Sequence, residues 1–397
     1  MAEARPVLIA GGGLGGLAAA LALGRNGFAV RVLEQAEKFA PIGYGIQLGP
    51  NVFPMFDRLG VTDAVMREAT IPNNVLMLDA LSGEEVTHIP TGPGFRARFT
   101  HPYIIIHRED IHRVLIDACT AVPSIVMEGG ASVVDFAEDS AGVRVALADR
   151  RTVEGAALIG ADGLRSAVRA KLVTEGEPRP IGYVAHRTIV PMETLPAHVG
   201  YREEVVLWGG PGFHIVHYPL RHGSLFNVVA VFRTATFADR LDPAAYTAEV
   251  RNTYRDAHPV MKTLTDMMDL GRRWIIADRE PIRHWGRGRV TLLGDAAHPV
   301  LQSFAQGACM AIEDGVVLGD LVANADGDFA RAFAQYQKVR LLRTARLALE
   351  SRAMWDFYHA EGIARDVRND TCARWRDEDL FRCLAWLYDG IEVGKAP

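Results

Sequence analysis

Two glycine-bearing segments about 280 residues apart constrain this chain more than any other feature. The first, Gly11-Gly12-Gly13-Leu14-Gly15-Gly16, follows the apolar run Val7-Leu8-Ile9-Ala10. The second, Gly294-Asp295-Ala296-Ala297-His298-Pro299, follows Val290-Thr291-Leu292-Leu293. Each reads as a buried strand running into a tight loop where backbone comes close to a phosphate or a ribityl chain. One such segment alone points to a nucleotide. Two of them, near opposite ends of the polypeptide, point to one long cofactor held by both, and FAD fits that best.

Gly11-x-Gly13-x-x-Gly16 has the spacing of a dinucleotide-binding turn, and its surroundings match. A helix is predicted from Leu14 to about Gly24, Asn26-Gly27 stops it, and a second strand from Ala29 to Leu33 ends at Glu34. Such a turn brings backbone N–H groups and a helix N-terminus against a pyrophosphate, making Gly11, Gly13, Leu14, Gly15 and Gly16 cofactor-binding candidates. Glu34 lies 18 residues beyond Gly16, where a carboxylate accepts from ribose hydroxyls. It also disfavours a 2′-phosphate there, since two anions would face each other.

The net charge of −5, with acids and bases mixed along the chain, gives no footprint for nucleic acid. Cys119, Cys309, Cys372 and Cys383 are scattered without metal spacing, and the simplest setting is a reduced, cytoplasmic one. The apolar stretch Leu14 to Leu23 is too short and glycine-rich to span a membrane.

The expected fold class is α/β: a Rossmann-like FAD-binding domain, an inserted β-sheet substrate domain and C-terminal helices. In chain order, residues 1–74 form the first FAD-binding part and 75–97 contribute substrate-domain strands. Residues 98–181 form the second FAD-binding part, 182–277 the strand-rich substrate domain, 278–345 the third FAD-binding part and 346–397 a helical end. A loop from Ile42 to Asn51 precedes a helix, a second helix opens at His107-Arg108, and residues 131–153 alternate like a hairpin. Helices are predicted from Gln306 to Val322 and from Phe329 to Ala360.

Read together, Gly11-x-Gly13-x-x-Gly16, Asp162-Gly163 and Gly294-Asp295 resemble the three landmarks of the single-component flavoprotein aromatic hydroxylases, in order and approximate spacing. The runs His214-Ile215-Val216-His217-Tyr218-Pro219-Leu220 and Leu301-Gln302-Ser303-Phe304-Ala305-Gln306-Gly307 look like the salicylate and 3-hydroxybenzoate hydroxylase branch. The resemblance implies that Asp295 contacts the ribityl chain, that Asp162 lies near the pyrophosphate and that Arg108 holds phosphate or ribityl oxygens. Without it, an Asp-Gly turn is the lesser alternative for Asp162, and a solvated arginine an equal one for Arg108. The helix opening at Gly307-Ala308 would aim its N-terminus at the flavin ring, where its dipole favours the reduced anion. The loop carrying Gly43, Gly45 and Gln47 and the segment at Pro299 would flank that ring and allow it to shift.

In an extended segment His214, Val216 and Tyr218 share one face, and His214 and Tyr218 lie about 13 Å apart, enough to bracket a benzene ring. On the resemblance, His214 is the general base for a phenol, titrating near the working pH. Tyr218 and Gln302 hold the polar far end, and His217 is structural. On spacing alone, a satisfied sheet histidine and a core tyrosine explain the same pattern. No arginine stands out as a partner for a substrate carboxylate.

The implied reaction is NAD(P)H-dependent reduction of FAD, NADH being the first choice of donor. Oxygen then adds to give a C4a-hydroperoxide, which hydroxylates a small phenolic acid, 3-hydroxybenzoate to 2,5-dihydroxybenzoate in the best case. Salicylate 1-hydroxylation, 6-hydroxynicotinate 3-monooxygenation and a same-fold epoxidase stay open, as do an H₂O₂-producing oxidase and a non-turnover flavin-binding redox sensor. Trp355, Phe357 and Tyr358 are compatible with either a homodimer face or a core.

Overall fold

Strand Val7–Ala10, the first apolar run, lies inside a six-stranded sheet, paired in parallel with Ala157–Gly160 on one side and Val30–Leu33 on the other. The computed structural model describes residues 5–39, 43–234 and 242–391; Ile42, the first residue of the expected loop, lies outside them. Across the sheet the order is Gly286–Arg287, Val290–Leu292, Ala157–Gly160, Val7–Ala10, Val30–Leu33 and Ile125–Glu128, parallel throughout except for the first pair. Val7–Ala10 is buried along its whole length, as a parallel strand covered on both faces must be. Helices Leu14–Arg25 and Gly307–Asn324 pack together so closely that a Cβ at Gly315 would stand 2.6 Å from the Ala19 nitrogen.

This strand order brings the distant landmarks together. Gly11, Asp162-Gly163 and Gly294-Asp295 follow the C-terminal ends of three adjacent parallel strands, the edge where open α/β sheets bind ligands.

The second sheet has seven strands, drawn from three parts of the chain. Its order is Trp274–Asp278, Arg179–Pro191, Leu225–Arg233, Phe213–Leu220, Val205–Gly210, Asn74–Asp79, Glu85–Pro90. One face packs on helices Pro243–Thr253 and Pro259–Asp266 through Tyr246, Val250, Met261 and Leu264. The other face is turned toward the nucleotide-binding sheet and the C-terminal helices.

Some expectations need correction. The strand-rich reading of 182–277 missed those two helices, although Asp242-Pro243 and His258-Pro259 each supply a cap and a proline in the first turn. The hairpin of 131–153 is a three-stranded meander, Val133–Asp139, Gly142–Leu147 and Thr152–Gly155. The boundary at 345/346 falls inside one continuous helix, Phe329–Tyr358, which runs from the nucleotide-binding part to helices Gly362–Cys372 and Asp377–Tyr388. Trp355 at the end of that helix is buried, and Phe357 and Tyr358 are half-buried along a cavity. Among the described residues no helix is long and apolar enough to cross a membrane.

Candidate active site

A cavity of about 890 Å³ runs from the C-terminal edge of the parallel sheet to the inner face of the seven-stranded sheet. At the cofactor end, Gly11 turns the chain with φ +105°, and a Cβ there would lie 2.4 Å from the Ala161 carbonyl oxygen. Gly13 differs: nothing in the protein lies within 4 Å of where its Cβ would be, so the space beside it belongs to the cavity. Leu14, Gly15 and Gly16 also touch the cavity. Helix Leu14–Arg25 and helix Gly307–Asn324 both start at this cavity, and neither N-terminus is capped by a side chain or carries an acid in its first turn. Two bare N-termini facing one space favour bound anionic groups.

Asp295 and Arg108 complete this end. The Asp295 carboxylate makes no hydrogen bond to any described residue, although the protein enclosing the cavity raises its pKa above the ordinary value. Arg108, first residue of helix Arg108–Thr120, donates its backbone N–H to the Tyr44 carbonyl at 2.9 Å. Its guanidinium reaches the cavity without an ion-pair partner among the described residues. At Gly307 a Cβ would sit 3.7 Å from Val300, an ordinary contact, so the protein itself does not require glycine there. An open cradle at Gly13 and Gly307, an unpartnered acid and an unpartnered base fit a dinucleotide whose phosphates and polyol need such partners.

The family model for the FAD binding domain matches residues 4–349. The chain belongs to that family. It is a flavoprotein aromatic monooxygenase of the p-hydroxybenzoate hydroxylase-like fold, with FAD as its cofactor. It is 43% identical over 390 residues to 3-hydroxybenzoate 6-hydroxylase of Polaromonas naphthalenivorans (98% of this chain, 97% of the relative). To 6-hydroxynicotinate 3-monooxygenase of Bordetella bronchiseptica it is 32% identical, covering 86% of this chain and 89% of that one. Among solved structures, HpxO of Klebsiella pneumoniae complexed with FAD and uric acid superposes with TM-score 0.85 at 26% identity, over 97% of each chain.

Within this flavoprotein the other expected cofactor residues are less direct. Glu34 accepts from the Gly12 N–H at 2.7 Å and the Ala36 N–H at 2.9 Å, which fixes it beneath the glycine turn. Asp162 accepts from the N–H groups of Ala167 and Val168 at the start of helix Ala167–Leu172. Its other oxygen is buried without a partner, and burial raises its pKa. Gln47 lines the cavity but accepts from the Tyr103 hydroxyl at 2.7 Å, and so stands beside Tyr218. Pro299 is buried behind the wall, which Val300 and Ala308 form in its place.

The end of the cavity at the seven-stranded sheet is built by sheet register. His214, Val216 and Tyr218 line the cavity, while Phe213 and Ile215 enter the opposite core and His217 accepts from Trp208 Nε1 at 3.0 Å. Val216 pairs with Val229, and Val229 with Arg187 on the next strand, so Arg187 shares their face. The guanidinium donates to Gln302 Oε1 at 3.0 Å, has no carboxylate partner among the described residues, and has its pKa lowered by burial. The sequence reading missed this arginine. A signal existed: Tyr183, Ala185, Arg187 and Ile189 share one face, and a lone cation on such a stripe needs an anion.

His214 also departs from expectation. It is 2% exposed and ringed by Trp355, Tyr358 and His359, and burial together with repulsion from His359 holds its pKa well below the ordinary value. It does not titrate near neutrality; it is a neutral acceptor there, because burial penalises the cation.

Behind the cofactor loop lies a buried ionic network that the sequence reading did not foresee. Asp314 Oδ2 accepts from the Gly294 N–H at 3.0 Å and pairs with His298 at 2.6 Å, while Arg340 bonds Asp314 and Glu313 at 2.6 Å each. It fixes the loop that presents Asp295.

Proposed function

We propose that this flavoprotein hydroxylates a small phenolic acid, 3-hydroxybenzoate first among them, to give 2,5-dihydroxybenzoate with NADH as donor. The observation that carries the reading is the pairing of a neutral imidazole, His214, with an unpaired guanidinium, Arg187, on one face of one sheet. A meta-hydroxy acid offers the matching pair, a phenol for the base and a carboxylate for the cation. The 3-hydroxybenzoate 6-hydroxylase name of the Polaromonas relative agrees with that chemistry.

Bound FAD, once reduced, supplies activated oxygen from O₂. The chain supplies the rest. Arg187, held by Gln302, takes the carboxylate, a charge-assisted contact that also offsets the cost of the half-buried cation. Tyr218 closes the same end. His214 accepts the phenolic proton at Nε2, which raises the electron density of the ring. Val216, Val229 and Phe304 exclude water, which protects a reactive oxidant.

The test is NADH oxidation by the FAD-loaded protein with and without a panel of hydroxybenzoates and hydroxynicotinates, products being identified. The expected result is stimulation by 3-hydroxybenzoate with stoichiometric 2,5-dihydroxybenzoate. Catechol from salicylate, or a hydroxylated pyridine acid, would replace the substrate, and no stimulation by any member would refute the phenolic-acid reading.

A further inference from the structure

A base whose pKa is held far down cannot store the proton it accepts, so the proton must have somewhere to go. Nε2 of His214 is the nitrogen left for the cavity, because Nδ1 meets His359 Nε2 at 2.8 Å. No other described side chain is bonded to that imidazole. Tyr358 packs on it, but its hydroxyl is committed as a donor to the Ser303 carbonyl at 2.6 Å. Trp355, at 5.3 Å between ring centres, offers only an N–H donor. His217 points into the opposite core.

We propose that His359 is the proton outlet of the active site: it takes the phenolic proton from His214 and passes it to solvent. The inference rests on the assignment of His214 as the base. In the resting pair the His214 Nδ1–H donates to His359 Nε2, which leaves His214 Nε2 as an acceptor toward the substrate. When the phenol O–H breaks, His214 Nε2–H forms. The His214 Nδ1–H then breaks as His359 Nε2–H forms, and His359 Nδ1–H passes its proton to water. One proton leaves for each phenolate made, no electrons move between atoms other than with those bonds, and both imidazoles end neutral.

Three features of His359 suit it to this task. It is 7% exposed against 2% for His214, so the pair forms a step outward. It is the C-cap of the 30-residue helix Phe329–Tyr358, whose terminal carbonyls favour a passing positive charge. Its Nδ1 is buried with no well-formed hydrogen bond among the described residues, the Trp355 carbonyl being the backbone acceptor beside the ring. The ring stacks on the buried Tyr183 at 4.8 Å, whose hydroxyl accepts from the exposed Arg233 at 3.2 Å. Arg233 marks the side on which the last transfer reaches water.

The experiment follows binding of 3-hydroxybenzoate to the FAD-loaded enzyme by stopped flow, reading phenolate absorbance and, with an indicator dye, released protons. In the wild type both signals should rise together. His359→Gln, which keeps a hydrogen-bonding group beside His214 but cannot relay, should slow both by about tenfold or more. In His359→Ala, added imidazole should restore the rate in proportion to its concentration, which repacking of a cavity would not do. Phenolate and proton release at the wild-type rate in His359→Gln would overturn the outlet. Slowing in both variants that imidazole leaves unrelieved would also overturn it, assigning His359 to packing. If the wild type itself forms no phenolate, the assignment of His214 as base fails and the outlet falls with it, an outcome distinct from the other two.

Discussion

Arg187 Nη2 donates to Gln302 Oε1 at 3.0 Å across the cavity, joining strand Arg179–Pro191 of the substrate sheet to the short helical turn Gln302–Phe304 of the cofactor loop. The bond is the polar hinge between the two halves of the site. It points a fixed guanidinium at the space beside Val216 and Val229, and it leaves the remaining donors of that group unused by any carboxylate. A half-buried cation in that state, with only the Trp274 ring at 5.9 Å beside it, is a binding site for an anion.

Replacing Arg187 by Met removes the anion partner and keeps much of the stem. KM for 3-hydroxybenzoate should rise about 10- to 100-fold, in line with loss of one charge-assisted contact. For an uncharged phenol such as 3-methylphenol, wild type and variant should differ little. A KM increase of equal size for both ligands would show that the arginine shapes the pocket instead of binding the acid.

Gly307 offers a separation of folding from cofactor binding. Its Cβ position meets only Val300 at 3.7 Å and Asp295 at 3.9 Å, so Gly307→Ala introduces no clash with the protein itself. The same side chain would project into the cavity where we propose the flavin ring lies. We expect a melting temperature of the apoprotein within a few degrees of wild type and a flavin content reduced about tenfold or more. Full flavin content in this variant would refute the placement of the ring against the helix N-terminus.

Asp79 ties the last helices to the substrate sheet. It is 0% exposed and accepts from Arg365 at 2.7 Å through both oxygens and from Arg368 at 3.0 Å. Those guanidinium groups and the Leu81 and Ser82 N–H bonds outweigh its burial and hold its carboxyl well below the usual range. Asp79→Ala leaves Arg368 buried and unpaired, and should cost about 3–5 kcal/mol in denaturant unfolding. A loss below about 1 kcal/mol would show that the helices dock by apolar contacts alone.

How much of this was legible in the sequence follows from the range of each signal. Gly11-x-Gly13-x-x-Gly16 and Gly294-Asp295 were readable because strand, turn and helix are local, and parallel pairing then leaves few arrangements. The shared face of His214, Val216 and Tyr218 was readable because a strand has period two. Arg187 was only half legible: its place on an apolar stripe is local, but that the stripe faces the space beside Val216 depends on pairing two strands away, and His359 arrives from the end of a helix 145 residues beyond His214. The depressed pKa of His214 was invisible for the same reason, since its burial depends on Trp355 and Tyr358 from that helix.

Buried neutral histidines give the fold a definite response to acid. Burial lowers His217 and His359 to about 3 and holds His214 lower than its ordinary value. In the unfolded chain each titrates near 6.5, so between about pH 6.5 and 3 the unfolded state binds protons that the folded state refuses. Stability is therefore fully present above about pH 6.5 and is lost as pH falls through that window. The two groups with the lowered value of about 3 each remove about 1.4 kcal/mol per pH unit there. Urea midpoints measured from pH 7.5 to 5 should fall steeply below 6.5. His217→Gln, which retains an acceptor for the Trp208 N–H bonded at 3.0 Å, should make that acid limb shallower by one histidine's share. A midpoint that stayed level or rose toward pH 5 would mean that these imidazoles are protonated in the folded state, and His214 could then not serve as a neutral base.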